Sequence, residues 1–208
     1  MAQLANNWKG PISVSLIIDK NGFTSLAAYK HLYNCDPLMK KFVTTHIVWR
    51  ETAENPCDST FITNNTVKLS SQYSCDIVEY EKISKHSLNI PYPPNTLRNV
   101  ARYGASTNIH LIADIENSFS KNANYLLNLI ANKVTKENVI AIRRFEYDEK
   151  ERKPETPQIL KDMLITEKAY EFHHFLASKS HAIENLDAWL NYSVNPLMRV
   201  TIVPITYM

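Results

Sequence analysis

Two carboxylates separated by a single residue, Asp114 and Glu116, follow a short apolar segment at residues 109–112. In an extended chain, residues i and i+2 point to the same side, so both carboxylates could face one cation. Mg²⁺ and Mn²⁺ prefer hard oxygen ligands, commonly one or two carboxylates together with substrate phosphate. The alternative is structural: Asp114 caps the next helix and Glu116 is exposed to solvent. The pair is therefore a candidate metal site.

A segment before these carboxylates combines arginines and amides at helical spacing. Apolar and small residues recur at i, i+3, i+4 and i+7 and predict a buried stripe of Leu97, Val100, Ala101 and Gly104. The polar residues of the same helix form a second stripe, which consists of Asn95, Arg98, Asn99 and Arg102. Guanidinium groups donate paired hydrogen bonds, so this stripe suits a diphosphate or a carboxylate. An ordinary exposed polar face is the alternative.

The composition excludes several ways of binding a nucleotide, a nucleic acid or a membrane. Gly10, Gly22 and Gly104 are the only glycines, whereas a Walker loop or a Rossmann fingerprint needs several glycines within a few residues. The 23 basic and 21 acidic side chains give a net charge of +2, which does not favour nucleic-acid binding. No apolar segment approaches the roughly 20 residues of a transmembrane helix. No targeting segment is visible, because residues 1–7 lack the apolar core of a signal peptide.

Strand-like and helix-like segments alternate along the chain. We predict strands at residues 12–18, 42–49, 75–80, 109–112 and 139–142, and helices at 23–33, 95–104 and 118–134. The predicted buried side of the last helix consists of Tyr125, Leu126, Leu129, Ile130 and Val134. This alternation predicts an α/β fold with a mainly parallel sheet and helices on both faces. Such sheets bind ligands at the carboxyl ends of their strands, which makes Asp19 a candidate at the nucleotide end of a site.

The remaining segments are less regular. Residues 51–66 are polar and predict a loop, and the charged residues 145–157 predict a solvated excursion. Residues 158–164 predict a helix, residues 170–176 are ambiguous, and residues 198–207 are apolar and strand-like. Because no repeat or linker divides the chain, we predict one domain over residues 8–208 that follows a short tail at residues 1–7.

Cysteines and asparagines indicate candidate covalent modifications. Cys35, Cys57 and Cys75 allow at most one disulfide, and the sequence does not decide between one bridge and three thiols. Asn64 and Asn191 each begin an N-glycosylation triplet. We expect Asn64 to be the better acceptor, because it lies in a polar loop, whereas we expect Asn191 to be shielded after Trp189 and Leu190.

Several segments, in order along the chain, resemble the family 49 glycosyltransferases, which include the β-1,4-glucuronyltransferases and the second domain of the LARGE-type enzymes. The segments are Trp8-Lys9-Gly10-Pro11-Ile12-Ser13, Thr45-His46-Ile47-Val48, the run YPPNTLRNVAR at residues 92–102, Asp114-Ile115-Glu116 in place of a D-x-D motif, and Phe145-Glu146. His181, Asn185 and Trp189 resemble the family's H-x-x-x-N-x-x-x-W. The resemblance covers about residues 8–190, and the run at 92–102 is highly specific.

The resemblance implies a GT-A fold and inverting transfer of glucuronate or N-acetylglucosamine from a UDP-sugar to a glycan hydroxyl. It implies that Asp114 and Glu116 ligate Mn²⁺ or Mg²⁺, with the polar stripe of residues 95–102 beside the donor and Asp19 a weaker candidate. It identifies no residue as the general base, and we expect His181 to be structural. It also implies the lumenal side of the Golgi membrane, to which family members are anchored.

Two departures from the family pattern leave alternatives open. Glu116 replaces the second aspartate, and its extra methylene moves the carboxylate by on the order of 1 Å. Family members continue beyond Met208, so we expect the C-terminal part of the fold to be missing and the isolated chain to have little transferase activity. The chain would be a fragment, a shortened gene model or a degenerate paralogue. The alternative functions are a non-catalytic member that binds sugar nucleotide or partner glycosyltransferases, and an unrelated metal-dependent α/β hydrolase.

Overall fold

The computed structural model of the protein describes residues 1–19, 22–51, 75, 92–148, 150–194 and 202–204. The chain divides into two compact units, residues 1–118 and residues 119–208. None of the helices within the described ranges is long and apolar enough to cross a membrane. Mixed helices and strands, including a small parallel sheet, are compatible with the predicted α/β class.

The first unit is built around a parallel strand pair. Its elements are α1 (Ala2–Trp8), β1 (Ile12–Ile18), α2 (Phe23–Cys35), α3 (Pro37–Phe42), β2 (Val43–Trp49) and α4 (Pro94–Tyr103). β1 and β2 pair in parallel, with Ile12 opposite Val43 and Ile18 opposite Trp49. Parallel strands need a long crossover, which α2 and α3 provide. The predicted strands at 12–18 and 42–49 and the predicted helices at 23–33 and 95–104 are therefore confirmed.

Helices lie on both faces of this strand pair because β1 alternates between apolar and hydroxyl side chains. Ile12 and Val14 pack against a buried cluster formed by Ala5, Met39 and Val43. Ser13 and Ser15, which point to the opposite face, hydrogen-bond to backbone carbonyls of α4. The period-2 pattern of the strand thus fixes which helix packs on which face.

The N-terminal residues predicted to form a tail belong to the core of the first unit. They form α1, in which Ala5 is 0% exposed, and the helix ends at Lys9 in a left-handed conformation with φ of 54°. The small side chain of Ala5 is enough to let the helix pack closely. The extent of the predicted domain, residues 8–208, stays a prediction.

A disulfide joins Cys35, the last residue of α2, to Cys75. The sequence did not decide between one disulfide and three thiols, and the structure has one disulfide. Cys57 lies outside the described residues. The strand predicted at 75–80 and the loop predicted at 51–66 also lie outside them, apart from Cys75 and Glu51.

The second unit contains short elements paired in antiparallel fashion. They are α5 (Ala123–Ile130) with a 3-10 turn at Ala131–Lys133, β3 (Asn138–Ile140), β4 (Phe145–Tyr147), α6 (Pro157–Ile165), β5 (Ala169–Glu171), α7 (His174–His181), α8 (Leu186–Val194) and β6 (Ile202–Pro204). β3 pairs with β6 and β4 with β5, both antiparallel. The prediction of a mainly parallel sheet is therefore wrong for the described strands, of which only β1 and β2 are parallel.

Two further predictions fail because burial depends on partners that periodicity does not reveal. Residues 109–112 form no strand, and the side chains of Ile109, Leu111 and Ile112 are exposed. The predicted helix at 118–134 exists as the shorter α5, but Tyr125 is 63% and Leu129 is 59% exposed, so its predicted buried stripe is wrong. Apolar spacing specifies a helix face but not what covers that face.

Candidate functional site

Two serine hydroxyls of β1 donate hydrogen bonds to backbone carbonyls of α4. Ser13 Oγ donates to the Ala101 carbonyl and Ser15 Oγ to the Leu97 carbonyl, each at 2.6 Å. The later strand residue contacts the earlier helical turn, so α4 runs opposite to β1. Its N-terminal end, which starts at Pro94, therefore points toward the carboxyl end of β1. Open α/β sheets bind their ligands at this edge.

The predicted buried stripe of α4 is confirmed only in part: Val100 and Ala101 are half-buried, and Gly104, which follows the last residue of the helix, is exposed. Leu97 is 4% exposed and faces the sheet. Gly104 approaches the ring of His46 so closely that a Cβ atom there would overlap Cε1 of the ring. All four members of the polar stripe, Asn95, Arg98, Asn99 and Arg102, are exposed. Exposure leaves their amide and guanidinium groups accessible to a ligand.

An ion pair connects this polar stripe to the candidate metal site. Arg98 Nη2 lies 2.7 Å from Asp114 Oδ1, and Arg98 Nη1 donates to Asn95 Oδ1 at 3.4 Å. The hydrogen bond and charge of Asp114 raise the pKa of Arg98, and the charge of Glu116 adds a smaller contribution in the same direction. The structure thus brings Asn95, Arg98 and Asp114 together, and Glu116 follows two residues after Asp114.

The Asp114-Ile115-Glu116 segment is a turn rather than the end of a strand. The Asp114 carbonyl accepts hydrogen bonds from the Asn117 amide at 3.1 Å and from Asn117 Nδ2 at 2.9 Å. The expectation that the two carboxylates share one side of an extended chain is therefore wrong. The structural alternative is half right: Asp114 does not cap the next helix, because α5 begins only at Ala123, but Glu116 is exposed to solvent as that alternative expects. Asparagine closes turns with its own side chain.

The two carboxylates still offer suitable ligands for a hard cation. Among the described residues, neither Asp114 nor Glu116 belongs to a group of three or more histidine, cysteine or carboxylate ligands close enough to share one ion. Mg²⁺ and Mn²⁺ are commonly held by one or two carboxylates, with water and substrate phosphate completing the shell. A pair of carboxylates beside an arginine therefore fits a cation that is bound together with a diphosphate.

The other predicted donor-binding residues lie on the same helix or at the end of β1. The Arg102 guanidinium packs over the Tyr103 ring at 4.9 Å, one helical turn beyond Arg98, and Asn99 is exposed beside it. Asp19 follows β1 directly, and its carbonyl accepts a hydrogen bond from the Gly22 amide at 3.0 Å. These contacts of Arg102 and Asp19 are made with their own neighbours in sequence and do not involve Asp114.

Sequence reasoning missed Arg50, which lies at the same edge of the sheet. Arg50 follows β2, and its backbone amide donates to the Ile18 carbonyl at 2.8 Å. Its Nη1 atom is buried and has no hydrogen-bond partner among the described residues. A buried guanidinium donor that lacks a partner is costly, so Arg50 is a candidate for binding an anion. The signal in the sequence is that Arg50, a basic residue, directly follows the predicted strand at residues 42–49.

The Ser13–His46 pair is structural rather than a catalytic dyad. Their Oγ and Nε2 atoms are 2.9 Å apart, but Ser13 already donates its single hydroxyl hydrogen to the Ala101 carbonyl. His46 must therefore be the donor, which leaves it unable to act as a base toward Ser13. This arrangement gives no support to a hydrolase that uses Ser13 as its nucleophile.

The residues that resemble H-x-x-x-N-x-x-x-W make packing contacts in the second unit. The His181 ring packs edge-on against Phe172 at 5.0 Å. Asn185 has φ of 54° just before α8, and Trp189 stacks on Phe145 at 5.6 Å. These contacts agree with the structural role expected for His181.

Of the two glycosylation candidates, the structure describes Asn191 but not Asn64. Asn191 lies in α8 and is exposed, so the expected shielding is wrong. Its Oδ1 atom accepts a hydrogen bond from Lys161 Nζ at 2.9 Å. Asn64 lies outside the described residues, and its preference as an acceptor stays a prediction.

Comparison with known proteins identifies the family of the chain. The family model described as "Glycosyl-transferase for dystroglycan" matches residues 1–206. No curated protein and no solved structure matches the chain. Because the family match spans nearly the whole sequence and includes α4 and the Asp114 turn, the chain belongs to the family 49 glycosyltransferases.

Proposed function

We propose that this chain is a glycosyltransferase, or a piece of one, for the transfer of glucuronate or N-acetylglucosamine from a UDP-sugar to a glycan hydroxyl, with inversion, in a GT-A fold. The observation that carries the proposal is the Arg98–Asp114 ion pair, which joins the guanidinium of α4 to the first of the two carboxylates. The membership of the chain in a glycosyltransferase family supports the reaction class.

Each group of the site has a role in binding the donor. Arg98 donates charge-assisted hydrogen bonds to the diphosphate, and Asn95 holds the guanidinium in place through its Oδ1 atom. Arg50 adds a second guanidinium at the edge of the sheet, where its buried Nη1 atom needs an acceptor. Asp19 lies at the end of β1 and suits the hydroxyls of the nucleotide, while Asn99 and Arg102 extend the polar stripe.

Asp114 and Glu116 would hold Mn²⁺ or Mg²⁺ through carboxylate oxygens. When it is bound, such an ion neutralises the negative charge that develops on the leaving diphosphate. Arg98 contributes to the same neutralisation from the helix. Inverting transfer forms a bond from the acceptor oxygen to the anomeric carbon as the bond to UDP breaks, and a base removes the hydroxyl proton.

The description of the family and the disulfide support a proposal for the acceptor and the compartment. The description of the family names dystroglycan, so we propose a glycan of a membrane glycoprotein as acceptor and the Golgi lumen as the site of action. The Cys35–Cys75 bridge fits an oxidising compartment. In a secreted sample, we expect glycopeptide mapping to find Asn64 occupied more fully than Asn191, whose amide is engaged by Lys161 in a helix. Higher occupancy at Asn191 would contradict this expectation.

Calorimetry of UDP binding, with and without Mn²⁺, tests the metal site. We expect UDP binding to require Mn²⁺ and to weaken by roughly tenfold or more in Asp114→Asn, which keeps the shape of the side chain but removes its charge. The carboxamide oxygen of this variant can still accept the hydrogen bond from Arg98, so the position of the helix is preserved. Glu116→Asp is expected to be tolerated or to tighten binding, because it restores the family's D-x-D spacing.

Glu137→Gln is the matched control, since it removes an exposed carboxylate elsewhere in the chain and should leave UDP affinity unchanged. Equal UDP affinity with and without Mn²⁺ would contradict the metal-dependent proposal. That outcome would favour the alternative function, a non-catalytic family member that binds sugar nucleotide or partner glycosyltransferases.

A further inference from the structure

A second cluster of metal-ligating side chains lies at the end of α2. His31 and Cys35 are four residues apart and therefore share one face of that helix. Cys75 joins them through its disulfide to Cys35. One ligand atom from each of the three residues lies within 4.8 Å of the other two. One imidazole and two sulfurs form a ligand set different from the oxygen ligands at Asp114.

The spacing of these atoms fits a tetrahedral zinc ion. Cys35 Sγ lies 3.5 Å from His31 Nε2. Zn–S and Zn–N bonds of about 2.3 Å and about 2.0 Å at a tetrahedral angle place sulfur and nitrogen roughly 3.5 Å apart. The two cysteine Cα atoms are 5.5 Å apart, so small side-chain rotations can open the sulfurs around an ion. His31 and Cys35 therefore already have the separation that zinc requires.

The residues of this cluster differ in their exposure to solvent. His31 is only 5% exposed, and a buried imidazole is held in a fixed orientation by its neighbours. Cys75 is exposed, which gives a reductant and a metal ion a route to the sulfurs. Thiolate and imidazole ligands select zinc over Mn²⁺ and Mg²⁺, which prefer oxygen.

We propose that reduction of the Cys35–Cys75 bond converts this cluster into a zinc site with His31, Cys35 and Cys75 as ligands. A phosphine reductant supplies two electrons, takes the oxygen of one water molecule and becomes a phosphine oxide, and the disulfide becomes two thiols. Zn²⁺ then displaces both thiol protons to solvent and binds two thiolates and the neutral imidazole. Water completes the tetrahedron, as in other sites with three protein ligands.

The bridge and the ion are then alternative cross-links between the same two positions. The oxidised chain ties Cys75 to α2 by a covalent bond, and the reduced chain ties it there through the metal. Each form excludes the other, because a sulfur in a disulfide lacks the thiolate charge that binds zinc. The site therefore makes the metal content of the protein depend on its redox state, independently of the proposed transferase function.

Zinc binding by the full chain in a Cys57→Ser background tests this proposal. The protein is measured oxidised and after anaerobic phosphine reduction, by competition with a chromophoric chelator and by the spectrum of bound Co²⁺. We expect the reduced chain to bind one ion with a thiolate-to-cobalt charge-transfer band, and the oxidised chain to bind none at this site. Cys35→Ser and Cys75→Ser should each weaken zinc binding by at least about tenfold.

His31→Gln separates a three-ligand site from two thiols that bind metal by themselves. We expect it to weaken zinc binding by at least about tenfold, whereas His110→Gln, which changes an exposed histidine, should have no effect. X-ray absorption of the zinc-loaded unsubstituted chain shows directly whether an imidazole is one of the zinc ligands. A reduced chain that binds no zinc, or a zinc shell without imidazole scattering, would overturn the proposal.

Discussion

At the scale of single residues, Arg98 is important for where it is held rather than for the stability it adds. Its side chain is largely exposed, and exposed ion pairs contribute little to folding. Contacts from Asn95 and Asp114 nevertheless fix two of its nitrogens. A guanidinium that is positioned before the ligand arrives loses less side-chain entropy on binding. This pre-organisation is the physical argument for the proposal that Arg98 binds the diphosphate.

Tyr29 gives a residue-scale prediction that depends on pH. Its hydroxyl lies 2.6 Å from Thr45 Oγ1, and burial raises the pKa of Tyr29 above its ordinary value of 10. Because the folded state holds this proton more tightly than the unfolded state, the free energy of unfolding falls as the pH rises above about 10. We expect Tyr29→Phe to cost roughly 0.5–1.5 kcal/mol at pH 7, through the lost hydrogen bond.

The same variant should lose less stability than the unsubstituted protein between about pH 9 and pH 11, since it has no phenol to ionise. Urea unfolding at a series of pH values measures both effects. Tyr125→Phe is the control, because Tyr125 is exposed and should change neither quantity. Parallel stability curves for Tyr29→Phe and the unsubstituted protein across that range would contradict the prediction.

At the scale of elements, the sequence predicted those features of the site that depend only on residues within one helix or strand. The strand predicted at residues 12–18 and the polar stripe of α4 each depend on a pattern within one element, and both are found. The buried stripe of α4 is found only in part, because Leu97 is buried but Gly104 is exposed. The Asp114 turn depends on a hydrogen bond from the Asn117 side chain, which the spacing of carboxylates does not reveal. Residues 109–112 have a strand's composition, but strands form by pairing, and no described neighbour pairs with them.

Gly104 gives a prediction about the contact between α4 and β2. Its backbone is helical, with φ of −83°, so alanine suits the conformation. A Cβ atom would nevertheless overlap His46 Cε1. The imidazole would have to move and give up its hydrogen bond to Ser13. We expect Gly104→Ala to lower the free energy of unfolding by about 1–3 kcal/mol, measured by urea denaturation.

A double-mutant cycle with His46→Ala separates this clash from other effects of the alanine. With the ring removed, the three atoms nearest to the new methyl group are gone, so we expect Gly104→Ala to be nearly neutral in the His46→Ala background. An equal cost in both backgrounds would mean that the ring is not the obstacle. Retention of UDP binding in the double variant would show that α4 keeps its place.

At the scale of the whole molecule, the sequence predicted the family of the chain. It did not predict which residues distant in sequence lie next to one another. The run at residues 92–102 is a continuous and highly specific motif, and the family that it indicates together with the other matching segments is confirmed by the match over residues 1–206. Arg50 and His31 were missed because their significance depends on neighbours distant in sequence: a parallel strand for Arg50 and Cys75 for His31. Contacts across long stretches of chain leave little trace in the composition of either stretch.

The disulfide gives a prediction that compares the two units. It closes a loop of 40 residues within the first unit, and the chain-entropy model gives such a cross-link a stabilisation of roughly 4 kcal/mol. We therefore expect the double variant Cys35→Ser/Cys75→Ser to lose hydrogen-exchange protection within residues 1–118. Residues 119–208 serve as an internal reference, because their strands pair with one another, and compact units open separately when each has its own core.

Hydrogen exchange followed by mass spectrometry under zinc-free conditions measures this difference peptide by peptide, with Cys57→Ser as the control for loss of a thiol outside the bridge. The faster exchange should be centred on α2 and β2, since α2 carries Cys35 and the two elements share the Tyr29–Thr45 contact. Equal acceleration in both units would mean that they unfold as one cooperative body. Unchanged exchange in α2 would mean that the helix is held by packing around Met39 and Val43 alone.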